Sequence, residues 1–177
     1  MIHKAVVPVA GLGTRLLPLT KSLPKEMLPV GRKPTLHHVV DELTEAGIDE
    51  ILFITSRYKR SIEDYFDPDP ALEEKLIASN RADLANDLRF PGVSFTMIRQ
   101  STPAGNGDAV RLARSFVGSD HAVMAWGDAI IRCPAGRNVV QRMIETHQRN
   151  NAVCTIAVEE VPLEKVSRYG IVHPVGD

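Results

Sequence analysis

Short apolar runs alternate with stretches of helical pattern along this chain, and no other feature restricts the fold as much. Residues 4–9 read as a buried strand. Residues 34–46 read as a helix, with Pro34 suited to its first turn and Gly47 to its end. Residues 51–55 form a second strand, and 56–65 a short helix cut off by Asp67-Pro68-Asp69-Pro70. Residues 71–88 place Leu72, Leu76, Leu84 and Leu88 at multiples of four and read as one helix. A strand at 93–98, a helix at 106–115, a strand at 121–126, a helix at 137–149 and a strand at 152–158 follow, and 169–172 opens another. Strands separated by helices imply right-handed crossovers. The expected fold is α/β, a mostly parallel sheet with helices on both faces, as a single domain over residues 1–177. No repeat, low-complexity tract or linker interrupts it.

In such sheets ligands bind beyond the carboxyl ends of the strands. The unusual residues fall there: residues 10–15 follow the first strand, 100–107 the third, and Asp128 the fourth. In Ala10-Gly11-Leu12-Gly13-Thr14-Arg15, glycines let the backbone approach a ligand and expose N–H groups to phosphate oxygens. A lone G-x-G is also an ordinary tight turn. Arg15 adds a forked cation suited to phosphate. Lys25 lies between Pro24 and Pro29, which stiffen the loop that would present it. A dinucleotide-binding loop needs a third glycine where Leu16 stands, and an acidic residue where the second strand ends in Ile54-Thr55-Ser56-Arg57. A P-loop would need G-K-[ST], which does not follow.

Lys and Arg total 21 against 22 Asp and Glu, a net charge of −1. No basic excess is present to hold a nucleic-acid backbone or an anionic membrane. The first apolar run is too short for a membrane span or a signal-peptide core. Cys133 and Cys154 fit neither a metal spacing nor a disulfide framework, and read as reduced, packed thiols of a cytoplasmic protein. His37 and His38 point about 100° apart on a helix and read as surface or capping residues rather than ligands. His147 and His173 are isolated and read the same way. Asp67-Pro68-Asp69-Pro70 reads as a turn, since a calcium loop would need more oxygen ligands and a glycine. Asp128 alone could simply cap a helix.

Gly11-Leu12-Gly13-Thr14-Arg15 followed by Pro24-Lys25-Glu26-Met27-Leu28-Pro29 resembles the two-part signature of the sugar-1-phosphate nucleotidyltransferases. Lys25-Glu26-Met27-Leu28-Pro29 is most similar to the bacterial UTP–glucose-1-phosphate uridylyltransferase branch. The resemblance runs from Lys4 to Val172, through Arg99-Gln100, Gly105-Asn106-Gly107, Gly127-Asp128 and Arg168-Tyr169-Gly170-Ile171-Val172. It implies a Rossmann-like fold that lacks its final strands, and transfer of a uridylyl group from UTP to glucose 1-phosphate, with Mg²⁺. Backbone groups at Ala10 and Gly11 would meet the base, and Gly13, Thr14 and Arg15 would hold the triphosphate. Lys25 would contact the phosphate undergoing substitution, and Glu26 would lie near the nucleoside. Gln100 would read the uracil edge, helped by the backbone of Gly105. Asp128 would bind the metal, and Gly170 would lie against the sugar.

The chain departs from that pattern in three places. Gly105-Asn106-Gly107-Asp108 stands where these uridylyltransferases usually have Gly-Leu-Gly-His. Gly127-Asp128-Ala129 lacks the second acidic residue of the usual Pro-Asp-Asp. Family members also continue past Asp177 with a sugar-phosphate-binding Glu-Lys pair and a second metal-binding Asp, so a fragment is expected, one that binds nucleotide and transfers poorly. Another sugar or nucleotide, or a non-catalytic nucleotide-binding domain, is the alternative. Homo-oligomerisation is left open.

Overall fold

The computed structural model describes residues 1–102, 104–132, 136–173 and 175. The chain runs β1 (Lys4–Pro8), a two-stranded antiparallel ribbon of β2 (Pro29–Val30) and β3 (Lys33–Pro34), α1 (Thr35–Glu45), β4 (Glu50–Thr55), α2 (Arg60–Phe66), α3 (Pro70–Ala78), α4 (Ala82–Asp87), β5 (Ser94–Arg99), α5 (Asn106–Leu112), α6 (Arg114–Val117), β6 (Ala122–Met124) and α7 (Val139–Arg149). Its contacts gather into two units, Met1–Arg142 and Met143–Asp177.

The first unit holds a parallel sheet in the order β5-β4-β1-β6. Ala5, Val6 and Val7 of β1 and Ile51, Leu52, Phe53 and Ile54 of β4 are all buried. Continuous apolar strands of this kind need cover on both faces. On one face, Val6, Leu52 and Ile54 pack with Ala109 of α5 and with Ala113, and Leu112, Phe116 and Val117 close around them. On the other, Phe53 stacks on Phe95 at 5.6 Å between ring centroids and meets Phe66 at 5.0 Å; Phe90 joins Phe66 at 5.2 Å. Burying a ring of this kind contributes about 1.5–3 kcal/mol. The expected α/β sheet with helices on both faces is what forms.

The chain leaves β1 toward β4 and β5, then crosses back to lay β6 on the other side of β1. The order therefore reverses at β1, and the carboxyl ends of β1 and β6 flank a switch point, where open α/β sheets bind ligands.

Four expectations are corrected. Residues 71–88 are two helices, α3 and α4, broken at Ser79-Asn80-Arg81. Asn80 takes φ 58°, a left-handed conformation that Asn tolerates, and Arg81 N donates to Leu76 O at 2.9 Å. Residues 152–158 form no strand, and Val153, Ile156 and Val158 are exposed, because no ladder partner exists among the described residues. Residues 169–172 form none either; Tyr169 instead closes the 3₁₀ turn Leu163–Arg168 by donating to Val166 O. Cys154 is free and exposed rather than packed, while Cys133 lies outside the described residues.

Candidate active site

The loop after β1 begins at Ala10, and residues 11–19 are mostly exposed. No acceptor among the described residues takes the amide N–H groups of residues 10–15. Gly13 takes φ 65°, and a Cβ there would come within 3.2 Å of the Thr20 side chain. Thr20 Oγ1 donates to Gly13 O at 2.8 Å and Leu16 N donates to the same oxygen at 2.9 Å, which holds the loop in shape. Unclaimed amides in a fixed loop suit an anion. Thr14 and Arg15 open the 3₁₀ turn Thr14–Leu16, and Arg15 is exposed with no carboxylate partner among the described residues.

Lys25 starts a second 3₁₀ turn, Lys25–Met27. Its Nζ donates to Asp128 Oδ2 at 2.5 Å across 103 residues of sequence. Both side chains remain partly exposed, at 27% and 43%. A Cβ added at Gly11 would sit 3.9 Å from Lys25 Cε, so the glycine loop lies directly against this pair. Gly127 has no such room: a Cβ there would fall 2.6 Å from Val9 Cγ1 and 3.3 Å from Glu26 Cγ. A side chain at position 127 would therefore drive Asp128 away from the loop.

Glu26, next to Lys25 in the same 3₁₀ turn, faces the interior rather than the exposed loop. It is 1% exposed, and its carboxylate accepts from Lys59 Nζ at 2.6 Å. A carboxylate buried this deeply must be paired, and Lys59, itself 4% exposed, supplies the partner. Nothing local separated Lys59 from its neighbours Arg57 and Arg60, so sequence reasoning missed it.

Gln100 follows β5, anchored by its N–H donating to Thr55 O at 2.8 Å. It is 7% exposed. Its side-chain Nε2 donates to Asp108 Oδ2 at 2.8 Å and to Gly105 O at 3.4 Å. Gly105 takes φ 87°, which turns the chain into α5. The Gln100 amide hydrogen bond and that of Arg111 hold the Asp108 carboxyl below the usual carboxylate range. Between β1 and β5, at the carboxyl end of β4, the Ser56 hydroxyl is buried without a partner. Gln100 and the loop after β1 are two strand spacings apart, about 10 Å, the length scale of a nucleotide.

Gly170 is exposed and belongs to the second unit. His37 is buried at 3% rather than on the surface, with Nδ1 at 2.8 Å from Tyr65 Oη and its ring 5.0 Å from that of Phe90. His38 does act locally, bonding to Val30 O at 2.9 Å. Among the described residues, the group of three that could share a metal is His3, Asp49 and Glu50, at the amino ends of β1 and β4 and away from Asp128. At the switch point Asp128 offers one hard oxygen donor, which suits a Mg²⁺ ion held mostly by substrate phosphates and water. No helix among the described residues is long and apolar enough to cross a membrane.

An α/β sheet with a glycine loop, a lysine and a carboxylate converging at its switch point defines a phosphate-handling enzyme fold. Residues 4–176 match the nucleotidyl transferase family, and the chain belongs to it. Among its relatives, the UTP–glucose-1-phosphate uridylyltransferase 2 of Streptococcus pyogenes serotype M3 is 44% identical over 98% of this chain. A UTP-bound UGPase from Acinetobacter baumannii superposes with a TM-score of 0.80 at 42% identity, covering 86% of this chain and 54% of that one. An apo UDP-glucose pyrophosphorylase superposes with a TM-score of 0.88 at 35% identity, covering 97% and 63%. The chain spans 58% of the length of the curated relatives it matches.

Proposed function

We propose that this chain carries the nucleotide-binding half of a UTP–glucose-1-phosphate uridylyltransferase. The observation that carries this reading is the meeting of Lys25 and Asp128 at 2.5 Å beside the unclaimed amides of residues 10–15. A sugar-phosphate oxygen attacks the α-phosphorus of UTP, the bond to the β-phosphate oxygen breaks, and pyrophosphate leaves with the electron pair. Two anions must be aligned and neutralised, which is work for fixed donors rather than a covalent nucleophile. The amides of Gly11 to Arg15 and the Arg15 guanidinium hold the triphosphate. A phosphate arriving between Lys25 and Asp128 takes over the lysine and frees the carboxylate. Asp128 would then hold Mg²⁺, which supplies charge neutralisation when bound. Gln100 reads the base. The cytoplasmic setting read from the cysteines belongs to the same proposal.

Relatives described as bound to UTP or UDP-glucose support the choice of nucleotide and sugar. Calorimetry with UTP and ATP tests the base: equal or tighter ATP binding overturns uridylyl transfer. Arg15→Ala and Lys25→Ala should each weaken UTP binding by about tenfold to a hundredfold, as loss of a charge-assisted contact does, with circular dichroism unchanged. Parental affinity in Lys25→Ala would reduce Lys25 to a partner of Asp128.

A further inference from the structure

Asp108 can only accept hydrogen bonds when ionised, and two neighbours keep it so: Gln100 Nε2 donates to Oδ2 at 2.8 Å, and Arg111 donates to Oδ1 from Nε at 3.2 Å and from Nη2 at 2.9 Å. An acceptor-only carboxylate settles which way the Gln100 amide is turned, a choice otherwise open for a glutamine. The reversed amide would set Gln100 Oε1 against the carboxylate, two acceptors facing each other. In the observed orientation one amide hydrogen goes to Asp108 and the other toward Gly105 O at 3.4 Å. The remaining polar atom of the side chain is Oε1. It has no hydrogen-bond partner among the described residues, in a side chain that is 7% exposed.

We infer that Asp108, backed by Arg111, is a specificity-determining residue that locks Gln100 with its carbonyl oxygen toward the nucleotide, so that the site accepts a base offering a ring N–H donor and rejects one offering a ring-nitrogen acceptor. Uracil carries N3–H and meets this requirement. Cytosine presents a bare N3 lone pair at the same place and faces Oε1 acceptor to acceptor. To bind cytosine in the register that uracil takes, Gln100 would have to rotate its oxygen onto the Asp108 carboxylate. The discrimination therefore rests on a residue that need not touch the base. It rests also on the proposed role of Gln100 as base reader.

Titration calorimetry with UTP, CTP and 3-methyluridine triphosphate tests this. The parent chain should prefer UTP over CTP by about a hundredfold, the scale of leaving a buried polar group mismatched. Asp108→Asn can present either an oxygen or an N–H, which frees Gln100 to turn. Its preference should fall to within about threefold, chiefly through tighter CTP binding. Three-methyluridine triphosphate, whose N3 carries no hydrogen, should bind the parent about as poorly as CTP, a test that needs no variant to fold. An unchanged UTP-to-CTP ratio in a folded Asp108→Asn chain, or parental binding of the methylated nucleotide as tight as that of UTP, overturns the inference and leaves the uridylyltransferase reading standing. Failure of the parent to bind UTP at all overturns both.

Discussion

Glu26 and Lys59 show how far one residue's role depends on its surroundings. Both are charged, both are nearly inaccessible, and they meet at 2.6 Å. Removing one partner strands the other charge in the interior, which costs about 3–5 kcal/mol, whereas replacing both with apolar groups is often neutral. Lys59→Met should therefore lower stability by that amount in urea unfolding, and Lys59→Met with Glu26→Met should recover most of it. A single variant that unfolds at the parental midpoint would show the pair to be energetically idle. Glu26 adjoins Lys25 in sequence and Gly127 in space, so the pair also sets the floor under the Lys25–Asp128 contact.

At the scale of elements, α1 buries its apolar stripe of Leu36, Val39, Val40 and Leu43, with His37 beside it against Tyr65 and Phe90. Burial pushes the His37 imidazole below its usual value near 6.5; Asp41, at 3.2 Å, pulls it up, while Lys33 and His38 push it down. The folded chain thus holds His37 neutral where the unfolded chain begins to protonate it. The unfolded state binds more protons in that window, so this stability is fully present above the unfolded value near 6.5 and lost as pH falls through the folded one. Urea unfolding at pH 8 and pH 5 should show a drop that is smaller in His37→Gln. An equal drop in the two proteins would show that other groups carry it. The helix at 71–88 teaches a related lesson: the leucine spacing was legible, but Asn80 allowed a local left-handed turn that periodicity does not register.

For the whole molecule, the reversal of strand order at β1 is what turns scattered residues into a site. The residues proposed to read the nucleotide lie between Ala10 and Asp128, within the first unit, and the chain spans 58% of its relatives' length. The 177-residue chain should bind UTP yet release little pyrophosphate from UTP and glucose 1-phosphate with Mg²⁺. Adding the remaining segment of a relative should raise turnover by about a hundredfold or more, because alignment of the two anions supplies most of the acceleration. Comparable turnover by both would show that the first 177 residues already hold the sugar phosphate.

The sequence alone determined the strand–helix alternation, the parallel α/β class, and the glycine loop, Lys25, Gln100 and Asp128 as residues of interest. Local periodicity and motif spacing carry that information because they depend on near neighbours in the chain. Only the tertiary structure decided which of them meet. Lys25 and Asp128 are 103 residues apart and touch because β6 returns beside β1. The same folding sends Glu26 inward to Lys59, since desolvation of a carboxylate is offset only by a partner that arrives from another element. It leaves 152–158 without a ladder among the described residues, because a strand exists only where a second backbone pairs with it.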